Sequence, residues 1–448
     1  MRVEPLTTAA IAADRALDGR VRAVVEAVSP CIDGGRFPVK RVLGERLVVE
    51  ADCFADGHDV VTARLRWRRE DEARWNETPM VPIGNDRWRA AFAPTSLGRW
   101  HYSVCAWVDR FLTWRHDLER RRDEADIRLA VRAGAQFAAQ AGERAGGDDA
   151  RALGAWAARL AAAADTEQDT NRLKSLALDA GLATLATAYP DRSFEFVYPV
   201  ELPLTVDRER ARFSSWYEFF PRSAGSDGRR HGTFRDCEAL LPYVAEMGFD
   251  VLYFPPIHPV GRANRKGRNN TLLAAADDVG SPWAIGADEG GHKSVHVPLG
   301  LLSDFERLVD RARAFGIEIA LDIAFQCAPD HPYVTQHPAW FRKRPDDSVQ
   351  YAENPPKKYQ DIYPFDFESD DWQGLWSELA DVVEFWVGCG VKIFRVDNPH
   401  TKAFAFWEWS ITELKRRYPD LIFLSEAFTR PKVMHRLAKL GFTQSYTY

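Results

Sequence analysis

The chain has 448 residues, 46% hydrophobic and 28% charged, with a formal net charge of −6. That length has room for about two to three globular domains, and so mild an acidity, with basic residues spread rather than clustered, gives no footing for nucleic acid or an anionic membrane surface. Cys31, Cys53, Cys105, Cys237, Cys327 and Cys389 are widely scattered and form no Cys-x-x-Cys pair, which argues against a disulfide framework or zinc site and fits a reducing cytosol. The first twenty residues carry Glu4, Asp14 and Asp18 and no long apolar core. No run approaches bilayer length, so a soluble, cytoplasmic protein without signal peptide or membrane span is expected. Aromatics make up 12% of the chain, 15 of them Trp. They would suit stacking on sugar rings, although core packing is the plainer use of any single one.

From about Phe37 to Trp114 the texture is short strands and turns. Leu47–Ala51 leads into the turn-rich Asp56-Gly57-His58-Asp59, while Ala63–Trp67 and Trp100–Val104 alternate with period two. A small immunoglobulin-like β-sandwich accounts for this pattern. From about Asp117 to Tyr189 the composition shifts to Ala, Arg, Leu and Glu without proline, and Leu153, Trp156, Leu160, Leu173 and Leu176 recur at helical spacing. Two long helices joined at Gly146–Asp149 are expected, inserted in or appended to the sandwich (residues 1–205), and serving either as a dimerisation arm or as plain scaffold. After Pro203 apolar strand-like runs alternate with helical stretches. The runs are Trp216–Phe220, Asp250–Phe254, Ile317–Ile323, Val391–Val396, Leu421–Leu424 and Thr443–Tyr448; the helices include Asp304–Phe315 and Trp372–Cys389. Buried strands alternating with helices mean a parallel sheet. Polar residues at the C-terminal ends of several strands, with no Gly-rich loop after the first, favour a (β/α)8 TIM barrel over a doubly wound sheet. The barrel would occupy residues 206–448, with a loop subdomain at about 325–372. Because the last run lies in a barrel strand whose partners are missing, the chain is expected to be a fragment.

Three strand ends carry the candidate chemistry. Phe394-Arg395-Val396-Asp397-Asn398-Pro399-His400 closes one strand and Leu424-Ser425-Glu426-Ala427 the next. Asp397 and Glu426 lie about one βα repeat apart, so neighbouring strands would aim both carboxyls at one mouth. A pair of carboxyls, one ionised and one protonated, is the usual equipment for cleaving a glycosidic bond. Arg395, on the same strand face as Asp397, would keep that carboxylate ionised. Strand-end carboxylates also cap the helices that follow them, and the sequence alone leaves that role open. A third strand ends at Asp322, followed by Gln326 and a long irregular segment that holds Glu353–Asp361 and ends near Trp372. The loop Gly261–Asn270 carries Arg262, Arg265, Lys266 and Arg268, a set that would suit an anion or simply face solvent.

The ordered set Asp322, Arg395-x-Asp397 and Glu426 resembles the first three signature regions of the α-amylase superfamily, glycoside hydrolase family 13. Further segments resemble one subfamily, the maltosyltransferases that use α-maltose 1-phosphate. They are Asp33–Pro38, Phe254–Pro259, Ser281–Gly286, Asn354–Tyr363, Asp397–Lys402 and Ser425–Pro431. The resemblance implies that Asp397 is the nucleophile and Glu426 the general acid/base of a retaining double displacement. It implies that Lys266, Gln326, Asp361 and Asn398, with Tyr359 and Arg395 beside them, bind the maltosyl phosphate. His296 and Asp322 would shape the donor-sugar pocket. The implied partners are α-maltose 1-phosphate, an α-1,4-glucan acceptor and a second copy of the chain through the N-terminal and helical regions; no cofactor and no metal are expected. Ala403 stands where the family pattern has proline, and His296–Leu301 departs from a His-Pro-acid-Leu-Gly-Thr pattern. The family's third acid belongs to a later strand that this chain lacks, so the chain by itself is expected to be inactive. Two other functions stay open on the residues alone: a superfamily hydrolase or transglycosidase with no phosphate dependence, and a glucan-binding protein without catalysis.

Overall fold

The computed structural model describes residues 18–226 and 230–447. Glu4, Asp14 and Tyr448 lie outside the described residues, and with them most of the N-terminal segment read above. The chain divides into two compact units. The first takes the chain up to Val39, Gly44–Pro94 and Arg99–Thr205; the second takes Lys40–Leu43, Thr95–Gly98 and everything from Val206.

Up to the helices the chain carries strands β1 (Ala23–Ser29), β2 (Val39–Val42), β3 (Leu47–Ala55), β4 (Val61–Arg69), β5 (Asn76–Pro79), β6 (Val81–Gly84), β7 (Arg87–Phe92) and β8 (Gly98–Val108), all but β2 lying wholly or mostly in the first unit. Two more, β9 (Phe196–Val197) and β10 (Leu202–Asp207), follow the helices. They form two sheets, in the orders β1-β3-β7-β6 and β2-β10-β8-β4-β5, with β9 beside β8. Alternation in β3 explains why the sheets stack: Leu47, Val49, Ala51 and Cys53 are buried while Val48 between them is exposed. Trp67 of one sheet lies flat on Phe92 of the other, ring centroids 4.9 Å apart.

Five helices interrupt this sandwich between β8 and β9: α1 (Arg110–Arg120), α2 (Glu124–Arg144), α3 (Gly147–Thr166), α4 (Thr170–Ala177) and α5 (Ala180–Ala188). The sequence led us to expect two, starting near Asp117. The earlier start is set by Asp109, whose carboxylate accepts from the Leu112 backbone N–H at 2.9 Å and caps α1. The α2–α3 break falls at Ala145–Gly146, and Gly147 opens α3 with φ +58°, a left-handed angle that glycine takes without Cβ strain. Leu153, Leu160 and Leu173 are buried in the core of this bundle, with Trp156 and Leu176 packed at its margin.

The second unit carries β11 (Trp216–Glu218), α6 (Phe234–Glu246), β12 (Val251–Phe254), α7 (Leu302–Ala314) and β13 (Glu318–Ile323). An irregular segment follows, with β14 (Gln326–Cys327), α8 (Pro332–Gln336), the hairpin β15 (Ala352–Asn354) and β16 (Lys357–Tyr359), and β17 (Tyr363–Pro364). Then come α9 (Trp372–Gly388), β18 (Ile393–Val396), α10 (Phe404–Arg417), β19 (Ile422–Glu426), α11 (Pro431–Lys439) and β20 (Gln444–Tyr446). The six long-range strands form one parallel sheet in chain order, β11-β12-β13-β18-β19-β20. An order that never reverses is not doubly wound. Every residue of β12 and β18 is buried, as the continuous apolar runs required. Register levels the strand ends: Asp322 is opposite Arg395, Val396 opposite Ser425, and Glu426 opposite Tyr446. Residues at these ends therefore share one mouth. Among the described residues no helix is long and apolar enough to cross a membrane.

Candidate active site

Arg395 is the centre of the site. Its side chain is 7% exposed, and its guanidinium reaches three carboxylates from three strands. Nη1 donates to Asp322 Oδ2 at 2.7 Å and to Asp397 Oδ1 at 3.0 Å, while Nη2 lies 2.7 Å from Glu426 Oε1. Its Nε donates to the Tyr446 hydroxyl at 3.0 Å. A planar five-donor fork is the side chain suited to this task, since a lysine could not span three acceptors in fixed directions. Burial works against the charge on Arg395, but the surrounding carboxylates hold its pKa above the ordinary value.

Asp397 and Glu426 do not cap helices. The N-caps of α10 and α11 are Ala403 and Arg430, neither of which makes a side-chain capping bond, and both carboxylates turn to Arg395 instead. The Asp397 backbone N–H donates to Ile323 O at 2.9 Å, fixing the nucleophile candidate to the end of β13. The next residue, Asn398, takes a left-handed conformation (φ +41°), which asparagine tolerates better than most residues. That turn lets its backbone N–H donate to Glu426 Oε2 at 3.2 Å.

Burial raises the Glu426 pKa; Arg395 pulls it down, and the Asp397 carboxylate beside it pushes it up. Burial also pushes Asp322 up to about 7 against the pull of Arg395. Tyr253 and Trp283 donate to its Oδ2, the indole at 3.3 Å, and its Oδ1 is buried with no hydrogen-bond partner. Lys402 completes the group, donating to Asp397 O at 3.3 Å and Asn398 O at 3.4 Å; burial lowers its pKa although the three carboxylates oppose this. Three acids thus face two cations, and burial favours the protonated form of two of the acids, Asp322 and Glu426.

Asp397 and Asn398 open onto a cleft of about 840 Å³ that Gln326, Tyr359, Asp361 and Trp283 also line. Gln326 is held by its Nε2 donating to Trp283 O at 3.2 Å. Asp361 is 2% exposed, and its Oδ1 has no hydrogen-bond partner. Burial raises its pKa, and the nearby Lys266 charge lowers it. Lys266 is itself 6% exposed. Its three arginine neighbours in the loop are consumed elsewhere. Arg262 pairs with Glu289, Arg268 with Asp277 at 3.3 Å, and Arg265 donates to the carbonyls of Gly261, Val260 and Asp278 at 2.8, 3.0 and 3.1 Å. The cationic loop read from sequence therefore reduces to one cation. Among the described residues Lys266 makes no hydrogen bond or ion pair.

Two expected pocket residues lie elsewhere. Asp322 is beneath the cleft, not on its wall, because its side chain is fully covered and faces Arg395. His296 lines a separate small pocket with Arg222, His231, His258 and Phe220, and burial lowers its pKa to about 4. Sequence reading missed Tyr253, Trp283, Lys402 and Tyr446. Lys402 had a signal in the Asp397–Lys402 segment, whereas the tyrosines read as ordinary strand residues. One group of residues has the composition of a metal site: the ligand atoms of His292, Cys327 and His331 lie within 4.8 Å of one another, all buried.

Residues 21–208 match the family model described as α-1,4-glucan:maltose-1-phosphate maltosyltransferase, domain N/S. The enzyme of that name from Chlorobaculum tepidum is 52% identical over 449 aligned positions, covering 100% of this chain and 66% of the relative. That from Cereibacter sphaeroides is 48% identical, with 97% of this chain and 72% of the relative covered. A solved α-amylase from Lactobacillus plantarum is 27% identical and covers 52% of this chain and 49% of its own, with a TM-score of 0.42. The chain spans just under two thirds of the length of the Chlorobaculum tepidum relative and 64% of one from Myxococcus xanthus. With such identity along nearly its whole length, the chain belongs to the α-1,4-glucan:maltose-1-phosphate maltosyltransferase family.

Proposed function

We propose that this chain carries the donor side of a retaining maltosyltransferase that moves maltosyl units from α-maltose 1-phosphate to the non-reducing end of an α-1,4-glucan. The observation that carries the reading is an unfilled acceptor on the cleft wall with a cation beside it. Asp361 Oδ1 is a buried acceptor without a donor, and its carboxylate feels the charge of Lys266, a nearly covered cation that makes no hydrogen bond or ion pair among the described residues. A ligand offering both a sugar hydroxyl and a phosphate oxygen would satisfy the two together. A neutral glucan alone would leave Lys266 with only the nearby Asp361 carboxylate, whereas a phosphate oxygen would add the direct charge-assisted contact it lacks. The six sequential parallel strands are read as part of a (β/α)8 barrel of the α-amylase type, with the mouth at their C-terminal ends.

The chemistry follows from the carboxyl pair. Asp397 attacks the anomeric carbon and forms an ester as the C1–O bond to phosphate breaks, while Glu426 gives its proton to the departing phosphate oxygen. Glu426, now ionised, takes the proton of the acceptor 4-hydroxyl. That oxygen then displaces Asp397, and two inversions give net retention. An inverting pair needs roughly 6.5–9.5 Å between carboxyls to hold a water. Here one guanidinium holds both carboxylates, Arg395 Nη1 lying 3.0 Å from Asp397 Oδ1 and Nη2 2.7 Å from Glu426 Oε1, and that closeness supports the double displacement. A cytoplasmic homodimer is part of the same reading, with Leu129 of α2, 65% exposed, as an apolar contact that such an interface would cover.

The test is phosphate release and glucan chain length on α-maltose 1-phosphate plus a maltooligosaccharide, measured on this chain and on the complete gene product. Chains growing by two glucose units with one phosphate each, abolished in Asp397→Ala, are expected of the complete product. Chains that shorten or rearrange without phosphate release would leave only the superfamily mechanism.

A further inference from the structure

The buried histidines beneath the strand end form a chain of hydrogen bonds with every proton assigned. The Tyr333 backbone N–H donates to His331 Nδ1 at 3.0 Å, so that nitrogen carries a lone pair and the His331 proton sits on Nε2. His331 Nε2 is 3.0 Å from His292 Nδ1 and donates to it, which leaves the His292 proton on Nε2. His292 Nε2 is 3.0 Å from Ala324 O, an atom that can only accept. All four ring nitrogens are therefore spoken for, the inner two by each other and the outer two by backbone groups.

The surroundings are made for this ring stack. A Cβ on Gly291 would sit 2.1 Å from His331 Nε2, and one on Gly286 would sit 2.2 Å from its Cδ2, so only glycine lets the loop close over the imidazole. The Trp386 indole donates to His292 O at 2.8 Å and ties the loop to α9. Burial lowers the His292 and His331 pKa values to about 4 and about 2, in keeping with neutral rings. Cys327 lies among them, but a metal would need the lone pairs that Tyr333 N–H and His331 Nε2–H already occupy.

The chain ends where the site begins. Ala324 O also accepts from the Gln326 backbone N–H at 2.9 Å, and the preceding carbonyl, Ile323 O, holds the Asp397 backbone N–H at 2.9 Å. We propose that His331 and His292 are positioning residues: a fixed-tautomer relay that locks the end of β13 and through it sets Asp397 and Gln326. The proposal rests on the maltosyltransferase reading for its kinetic consequence, though not for the relay itself.

Two measurements separate these parts. In the chain itself, the imidazole ¹⁵N–¹H spectrum at pH 7 is expected to show both rings neutral with the proton on Nε2. A proton on Nδ1 of either ring overturns the relay. So does a cobalt(II)–thiolate absorption band on adding cobalt(II) alone, which would mark a metal site instead. In the complete gene product, His292→Gln keeps one acceptor and one donor at the imidazole positions and is expected to retain kcat within about threefold, whereas His292→Leu breaks the relay and should lose about tenfold to a hundredfold in kcat with little change in donor KM. Parental kcat in a folded His292→Leu overturns the positioning role. If that variant does not fold, a loss beyond about tenfold in His292→Gln does so. Absence of any turnover of α-maltose 1-phosphate by the unsubstituted protein would overturn the functional reading, and the tautomer measurement would still judge the relay.

Discussion

The Arg395 cluster and the α2–α3 hairpin are both buried, yet they are stabilised by opposite means. The hairpin core is Ala130, Val131, Ala135, Ala138, Ala141, Leu153 and Leu160, which bury apolar surface and ask for nothing in return. The cluster takes Asp322, Arg395, Asp397 and Glu426 out of water, each 8% exposed or less, at a desolvation cost of several kcal/mol per ion. Only mutual compensation keeps the second arrangement folded. A protein gains nothing in stability from such a group that apolar residues would not supply better. Its presence at the mouth of a parallel sheet therefore marks the place where function sets the composition.

The largest expected effect is that of removing the shared cation. Arg395→Met would strand three carboxyls and should cost about 3–5 kcal/mol at pH 7, together with activity. The sign of its pH dependence is fixed. Without Arg395 the folded-state pKa values of Asp322 and Glu426, already raised by burial, rise further above their unfolded values, so the folded state binds more protons than the unfolded state. Stability then falls as pH rises between those values and recovers on acidification. Urea unfolding at pH 7 and pH 5 should show the deficit shrinking at the lower pH. An equal deficit at both would mean that the carboxyls were never held ionised by Arg395.

The hairpin should answer to shape alone. At Gly134 in α2 an added Cβ would meet Trp114 Cζ2 at 2.2 Å, and Trp114 cannot retreat easily because its indole N–H donates to Ala130 O at 2.7 Å and Phe111 and Phe137 pack beside it. Alanine is favoured over glycine in a helix by about 1 kcal/mol. Overpacking costs about 1–3 kcal/mol. With a rigid ring as neighbour, Gly134→Ala should therefore destabilise by about 1 kcal/mol, read as a lower Tm, with kcat and its pH profile unchanged. A gain in Tm would show that the indole moves and that propensity wins.

These two regions were not equally legible in the sequence. The parallel strands announced themselves because a strand buried on both faces is a run of apolar residues, and Asp397 and Glu426 stood out as acids that end such runs. The hairpin was visible as a change of texture, although Asp109, an aspartate just ahead of Arg110-Phe111-Leu112, was a capping signal that the apolar alternation of β8 concealed. What could not be read were partners fixed only by sheet register. Tyr253 is a β12 residue whose hydroxyl happens to reach Asp322 on the neighbouring strand, and Tyr446 reaches Arg395 across β19. The loop cations misled for a related reason: composition counts charges, but only the folded loop spends Arg262, Arg265 and Arg268 on carboxylates and carbonyls. His296 was placed by the resemblance to the superfamily, and here its side chain lines another pocket.

The smallest effect is the one most specific to the cluster. Lys402 feels the charges of Asp397, Asp322 and Glu426, and by reciprocity its own charge favours the ionised form of Glu426. Lys402→Met removes a cation while leaving the Arg395 contacts in place, so the proton on Glu426 should be held to higher pH. The expected result is an upward move of about half a unit to one unit in the basic limb of the kcat/KM profile, roughly 1 kcal/mol at most. A profile that only loses height, with both limbs unmoved, would make Lys402 a backbone brace for the Asp397–Asn398 turn and no part of the electrostatics. Arg395 would then be the one cation of the cluster whose charge sets the ionisation of Glu426.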